Sequence, residues 1–518
     1  MMSALPLAPI LTPLGVALLC LIPMRRSLKA GLTLFGALGT LLCSGLLLMA
    51  TADGSVLVSE LGGWPAPFGI VMTADRLSAG MSVLASLSGV VAVWFMIAHE
   101  DRVREQHHAF ALSLLLFTGV QLSFLTGDLF NLFVAFEVML VASYALAVLG
   151  STREQLREGF RYILMNLAAS TLLVLACGLV YGTLGTLNYA HIAERTLELG
   201  PRATVSVLAV LLTLVFASKA ALFPLGFWLP GTYPALPQAS SAFFAAILTK
   251  VGVYALIRLF TTVLPVDSAL PQAFLLALGA ATMLFGALGA LSQREWRRIL
   301  SFTVMGSVGY LAFGIGLGTP DGLRAALAYL AVSVVVTLAT FLIAAVAERA
   351  AGTPAVRGRR GFIEPLPWLA GAFLLCLLTV AGLPPTAGFV AKYALVRAGL
   401  AQGSVLAVAG VVCALLGSLI TLMALLTVWR DFFWGKADRA VPMQSVTRRT
   451  TWPAYFASAL VAALVVLAGP LFTHAEATAR QLRDPGQYVR SVLGEEPVRI
   501  PARPTGRELM KTDKEEPK

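Results

Sequence analysis

Four ionisable side chains stand inside stretches otherwise built for lipid. They are Glu137 in "GDLFNLFVAFEVMLVASYALAVLG", Lys219 in "VFASKAALFPLGFWLP", Lys250 in "AFFAAILTKVGVYALIR" and Lys392 in "AGLPPTAGFVAKYALV". A charge at the centre of a bilayer helix costs roughly 2.5–3.5 kcal/mol on insertion scales, so such residues mark function more often than packing. The chemistry open to one carboxylate and three amines is proton exchange. Low dielectric penalises the charged form of an amine and a nearby carboxylate restores it, so members of such a set alter one another's protonation. The competing reading is a snorkelling lysine or a charge pair that only locks helices. Arg258, near the end of its run, is expected to snorkel. Lys250 cannot, because it lies some twelve residues, about 18 Å, into its helix. None of the five histidines (His99, His107, His108, His191, His474) falls near mid-membrane, so they are read as loop or interface residues.

Helix-breaking residues adjoin two of these lysines. "FPLGFWLPGTYPALP" follows Lys219, and "AGLPPTAGF" precedes Lys392 with Gly382, Pro384, Pro385 and Gly388. Proline removes a backbone donor and clashes with the preceding turn, so both spans are expected to break. Backbone opened at membrane depth survives only where it is buried in protein or lines a hydrated cavity. A pair of Gly/Pro-interrupted spans in two halves of a chain points to a transport site.

The elements that must position these residues follow from composition. Of 518 residues, 58% are hydrophobic and 13% charged, and apolar runs of about 20 residues recur along nearly the whole chain. That pattern specifies an all-α polytopic membrane protein and excludes a barrel of ten-residue alternating strands. Fourteen spans are expected, near 4–23, 29–50, 77–98, 108–126, 128–149, 159–183, 203–229, 238–262, 269–291, 298–317, 321–347, 366–392, 404–429 and 452–472, followed by a polar, extended tail. Loops after odd-numbered spans hold twenty basic residues, among them Arg102, Arg104, Arg359, Lys436 and Arg439. Loops after even-numbered spans hold six, Arg202 included. The asymmetry places the odd loops in the cytoplasm and both termini outside. It also explains the net charge of +11 without nucleic acid. The five cysteines are scattered and read as packing residues, so no metal or iron–sulfur ligation is expected. "GIGLGTPDG" at Gly314–Gly322 lacks the spacing and the strand–helix setting of a nucleotide loop.

"GDLFNLFVAFEVMLVASYAL", "SKAALFPLGFWLPGTYPALPQASSAFFAAILTKVGVYALIRLF" and "AGLPPTAGFVAKYALV" resemble the proton-translocating antiporter-like subunits shared by respiratory complex I and the multisubunit Mrp-type (Mnh, Pha, Sha) Na+/H+ antiporters, the Mrp branch above all. The likeness is good over about residues 70–430. It implies fourteen helices and two inverted five-helix repeats, spans 4–8 and 9–13, with the seventh and twelfth broken. It also implies a proton path through Glu137, Lys219, Lys250 and Lys392. Glu137 would set the proton on Lys219, Lys250 would link half-channels and Lys392 would exchange with one side. The division expected is then 1–107 for helices 1–3, 108–262 and 263–430 for the two repeats, 431–472 for a cytoplasmic loop and helix 14, and 473–518 for the tail. One departure stands out: after "FWLP" the family often has an acidic residue and a Thr-Pro-Val-Ser-like stretch, where this chain has Gly231 and Gln238–Ser241.

The expectation is therefore a non-enzymatic, cofactor-free subunit of a monovalent cation (Na+ or K+)/H+ antiporter in the bacterial inner membrane. Its partners would be the other Mrp subunits (A, B, C, E, F and G), lipid, H+ and the cation, with no nucleic acid. Two rivals remain at this point. One is a proton-pumping subunit of a complex I-type NADH dehydrogenase or membrane-bound hydrogenase. The other is an assembly scaffold whose partners carry the transport.

Overall fold

The computed structural model describes residues 2–99, 107–200, 203–264, 269–357, 360–435, 444 and 446–494. The basic loop residues Arg102, Arg104, Arg202, Arg359, Lys436 and Arg439, and the tail from 495 on, lie outside them. The chain is helical almost throughout: α1 (Ala8–Leu21), α2 (Arg26–Ala50), α3 (Arg76–His99), α4 (Ala109–Leu125), α5 (Leu129–Val148), α6 (Arg153–Leu184), α7 (Tyr189–Leu199), α8 (Ala203–Ala220), α9 (Leu229–Ala235), α10 (Gln238–Val263), α11 (Ala269–Ser292), α12 (Trp296–Gly316), α13 (Pro320–Ala351), α14 (Pro367–Ala381), α15 (Ala387–Gln402), α16 (Val405–Phe433), α17 (Arg448–Val466), α18 (Ala468–Leu482) and α19 (Pro485–Leu493). One short antiparallel hairpin, β1 (Leu57–Glu60) with β2 (Val71–Ala74), pairs Leu57 with Ala74 between α2 and α3.

Eleven of the described helices are long and apolar enough to cross a membrane, or twelve if α17 and α18, bent by 76°, form one span. The shorter apolar helices α4 and α14 stand where the sequence places a fourth and the start of a twelfth span. The fold is an all-α polytopic membrane protein, with eleven or twelve described helices of spanning length where the sequence leads one to expect fourteen spans. Side-chain burial sorts the helices into layers. The apolar stretch of α13 is wholly buried and that of α10 is 94% buried, whereas only 28% of the apolar stretch of α16 is buried. A helix apolar on all faces belongs at the centre of a bundle or in lipid. The outer helices accordingly turn Phe35, Met49 and Val405 outward, each more than two-thirds exposed.

Without a hydrophobic drive between helices in lipid, small and hydroxylated residues hold them together. Ser44 of α2 bonds to Ser82 and Ser86 of α3, and the Gln121 amide of α4 donates to Ser86 and accepts from Ser82. The cysteines are free, as their packing reading expects, with Cys20, Cys177 and Cys376 buried.

Both broken spans form. In the first, α8 ends at Ala220 and α9 begins at Leu229; in the second, α14 ends at Ala381 and α15 begins at Ala387. The opened backbone is satisfied by protein. The Phe223 amide donates to Thr282 Oγ1 at 2.9 Å, and the Trp228 indole donates to the Ser218 carbonyl at 3.2 Å. The expectation of an extended tail after 472 needs correction, since α18 and α19 carry the helical chain to Leu493. Their sequences are amphipathic rather than apolar, and one face of each packs on the bundle through Ala475, Ala479, Leu482, Tyr488 and Val492.

Candidate buried-charge site

Lys219 lies in the last turn of α8, one residue before the break, and is 4% exposed. Its ammonium donates to Ser170 Oγ at 2.8 Å and to the Asn166 carbonyl at 3.3 Å, both on α6. The Phe136 ring of α5 faces it, 5.4 Å from Nζ to the centroid. Glu137 follows Phe136 on α5 and is half-buried, and its Oε1 is buried without a hydrogen-bond partner. Among the described residues no ion pair within 4.0 Å joins Glu137 to Lys219, whose hydrogen bonds go to α6. The expected pair is thus not ion-paired here: the α5 side chain over the ammonium is Phe136, one residue before Glu137.

Lys250 is fully buried on α10, directly after a π-helical turn at Phe244–Leu248, a feature frequent at functional sites. It makes one long hydrogen bond, 3.4 Å to the Ala245 carbonyl, and is the least restrained of the three amines. Gly252 explains its position. A Cβ there would come within 2.7 Å of the Lys219 carbonyl carbon, so only glycine lets α10 lie against the end of α8. The Thr249 hydroxyl beside Lys250 is buried without a partner, as is the Tyr233 hydroxyl on α9. Leaving such a group unpaired costs about 1–3 kcal/mol.

Lys392 sits on α15 after the second break, 7% exposed, and reaches back to the end of α14. Its ammonium donates to the Val380 carbonyl at 2.8 Å and to Ser418 Oγ of α16 at 3.0 Å, and lies 4.2 Å from the Tyr310 ring centroid. Tyr310 OH donates its one proton to the Ala414 carbonyl at 2.6 Å, so Ser418 is the donor in their 2.7 Å contact. Neither Lys250 nor Lys392 is bonded to the other, and α13 packs against both α10 and α15.

The departure at Gly231 has a structural counterpart. A Cβ at Gly231 would overlap Glu158 Oε2, a buried carboxylate on α6 held by Arg157 at 2.8 Å and Arg161 at 3.2 Å. A carboxylate therefore fills the space beside this loop from a neighbouring helix.

The sequence reading of Arg258 is overturned. It does not snorkel: it is 2% exposed and forks onto Asp75, with both N–O distances 2.6 Å. Its own helix holds it inward, because Tyr254 and Thr262, four residues to either side, both bond to it. Asp75 was legible only as a residue at the edge of an apolar run, and Asn166, Ser170, Tyr310 and Ser418 carry no charge to betray them. Among the described residues no cluster of His, Cys, Asp or Glu has the make-up of a metal site.

Buried amines at two broken helices, inside an all-α polytopic bundle, define a class of membrane subunits that handle protons. The family model of the NADH:quinone oxidoreductase/Mrp antiporter transmembrane region matches residues 126–421. The chain is 38% identical to the D-type subunit of the Na+/H+ antiporter of Alkalihalophilus pseudofirmus over 496 residues, covering 95% of this chain and all of that one. In structure it resembles a chain of the Mrp complex from Dietzia sp. DQ12-45-1b, with a TM-score of 0.89, 28% identity and 95% and 99% of the two chains covered. A chain of respiratory complex I from Thermus thermophilus shares the fold at a TM-score of 0.79 and 24% identity, covering 93% and 100%. The chain belongs to the NADH:quinone oxidoreductase/Mrp antiporter family, on the branch of the D-type Na+/H+ antiporter subunits.

Proposed function

We propose that this chain is the proton-translocating subunit of a multisubunit Na+ (or K+)/H+ antiporter, and that Glu137, Lys219, Lys250 and Lys392 carry the proton at mid-membrane. The observation that carries the reading is the setting of Lys219. Its ammonium is buried beside a broken helix and held by one hydroxyl and one carbonyl, with no carboxylate bonded to it. Such an amine gains or loses its proton with small changes in the position of a nearby carboxylate, the role this reading gives Glu137. Lys250 links this half to the second, and Lys392 exchanges with one side. The partners are the other Mrp subunits, A, B, C, E, F and G. The excess of basic residues in the odd loops supports an N-terminus and a C-terminus on the outer face of the bacterial inner membrane. The two five-helix units, spans 4–8 and 9–13, would be inverted copies, which the matched breaks support. A redox-complex membership shares the fold, but the branch to which the chain belongs favours antiport without a cofactor.

The test is exchange in everted vesicles from cells with a normally assembled complex. Glu137→Gln or Lys219→Ala should reduce cation-driven proton movement to background. Antiport retained in either variant would sink the relay.

A further inference from the structure

A second buried polar system lies outside the four-residue set. On α10, Lys250, Tyr254, Arg258 and Thr262 recur every four residues and so share one face, and none is more than 2% exposed. This stripe leads from Lys250 toward the Val263 end of the helix, with about 12 Å of rise between Lys250 and Arg258. It then meets a closed arrangement. Arg258 forks onto Asp75 at 2.6 Å on each side, and its Nε donates to Tyr254 OH at 2.9 Å. Tyr254 OH donates its proton to the Phe124 carbonyl at 2.7 Å. Asp75 Oδ1 also accepts from the Ser78 amide at 2.9 Å and the Ser78 hydroxyl at 2.8 Å. From α19, Tyr488 lays its ring over the guanidinium at 5.8 Å and bonds through its hydroxyl to Thr73 at 3.0 Å.

Each group here is unsuited to pass a proton onward. A guanidinium does not release its proton in a protein. The Tyr254 proton is committed to a backbone carbonyl, and Arg258 occupies one of its lone pairs. Burial alone would raise the Asp75 carboxyl, but the Arg258 guanidinium and the Ser78 hydrogen bonds hold it below the ordinary carboxylate range. It therefore stays a counter-ion. A fixed guanidinium in a narrow path also repels an approaching cation, as arginines do in water-selective pores. The charges balance, which makes their joint burial tolerable only while both remain.

We infer that Asp75, Arg258 and Tyr254 form a seal that closes the α10 stripe beyond Lys250, so that Lys250 exchanges protons with the other buried amines and not with the surface at the Val263 end. The inference rests on Lys250 being a proton carrier. Arg258 and Asp75 are positioning residues here, and the seal's function is tightness rather than turnover.

The experiment measures passive proton flow in everted vesicles holding the whole complex. A pH gradient is imposed, respiration is stopped, and its collapse is followed without Na+ or K+. Antiport is then read in the same vesicles on adding the cation. In the neutral pair Asp75→Asn/Arg258→Gln, collapse should be severalfold faster than in the parent, and adding Lys250→Ala should restore parental tightness. A leak that ignores Lys250→Ala, or no added leak in an assembled complex, would overturn the seal. If the neutral pair does not assemble, Arg258→Lys decides, since it keeps the charge and loses the fork. It should leak more than the parent in a Lys250-dependent way, and parental tightness would overturn the proposal. Lys250→Ala alone reports on the relay separately: antiport retained there defeats the relay reading, whereas antiport lost there, with a leak that persists in the triple variant, defeats only the seal.

Discussion

The two broken spans solve one problem with different parts. In each, the residue directly after the first half-helix has a positive φ: Ala221 at 63° and Gly382 at 79°. In each, an ammonium lies at the C-terminal end of that half-helix, where the unpaired carbonyls and the helix dipole favour positive charge. Lys219 belongs to the half-helix itself, whereas Lys392 comes from beyond the break and donates back to Val380. Each ammonium has a hydroxyl, a carbonyl and an aromatic ring beside it: Ser170, Asn166 and Phe136 at Lys219, and Ser418, Val380 and Tyr310 at Lys392. They differ in that a carboxylate, Glu137, follows the ring residue on α5, whereas Leu311 follows Tyr310 and brings no charge. A charge can be moved or neutralised, so the first site is tunable by its neighbour. Fixed dipoles hold an ammonium without responding to a proton elsewhere, so the second site suits a terminal exchanger. Lys250, held by one long bond between them, has the freedom a go-between needs.

The largest effect that could break this comparison is at Lys392. Lys392→Ala in an assembled complex should reduce antiport to background, as is expected of Lys219→Ala. Parental activity would confine the relay to the first half and strengthen the scaffold reading of the second.

Matched hydroxyl removals sharpen the contrast. Ser170→Ala and Ser418→Ala each delete a hydrogen bond to an ammonium, worth about 1.5–3 kcal/mol. Ser418→Ala should cost more exchange activity, because it also removes the link between Lys392 and Tyr310. Initial rates of cation-induced dequenching in vesicles with equal complex content would rank them. A larger loss in Ser170→Ala would reverse the assignment of which site relies on dipoles.

The smallest effect concerns the breaks themselves. A left-handed residue with a Cβ costs about 1–2 kcal/mol. Ala221→Gly should therefore raise the thermal stability of the detergent-solubilised complex slightly, offset in part by the freer unfolded chain. Gly382→Ala should lower it, since the new Cβ would also meet Lys392 Cδ at 2.7 Å. Equal responses at the two positions would show that the breaks are not held alike.

Much of this arrangement was legible in the sequence because lipid imposes a severe filter. Glu137, Lys219, Lys250 and Lys392 stood out against apolar neighbours, and proline placed both breaks within a few residues. The partners of those charges did not stand out. Ser170, Ser418 and Tyr310 are unremarkable in membrane helices until packing brings them to an ammonium. Asp75 and Arg258 lie 183 residues apart and each reads as a residue near a span end, so only the fold joins them. α18 and α19 were hidden for a related reason. Their polar faces resemble a solvated tail, and only contact with the bundle buries the other face.

Whether Lys219 releases and regains a proton is decided by Lys219→Arg. Arginine keeps the positive charge, so it preserves any role as a structural lock, but it does not give up its proton. With assembly verified, antiport in everted vesicles should fall to the level of Lys219→Ala. Antiport near the parental rate in Lys219→Arg would contradict proton release at Lys219.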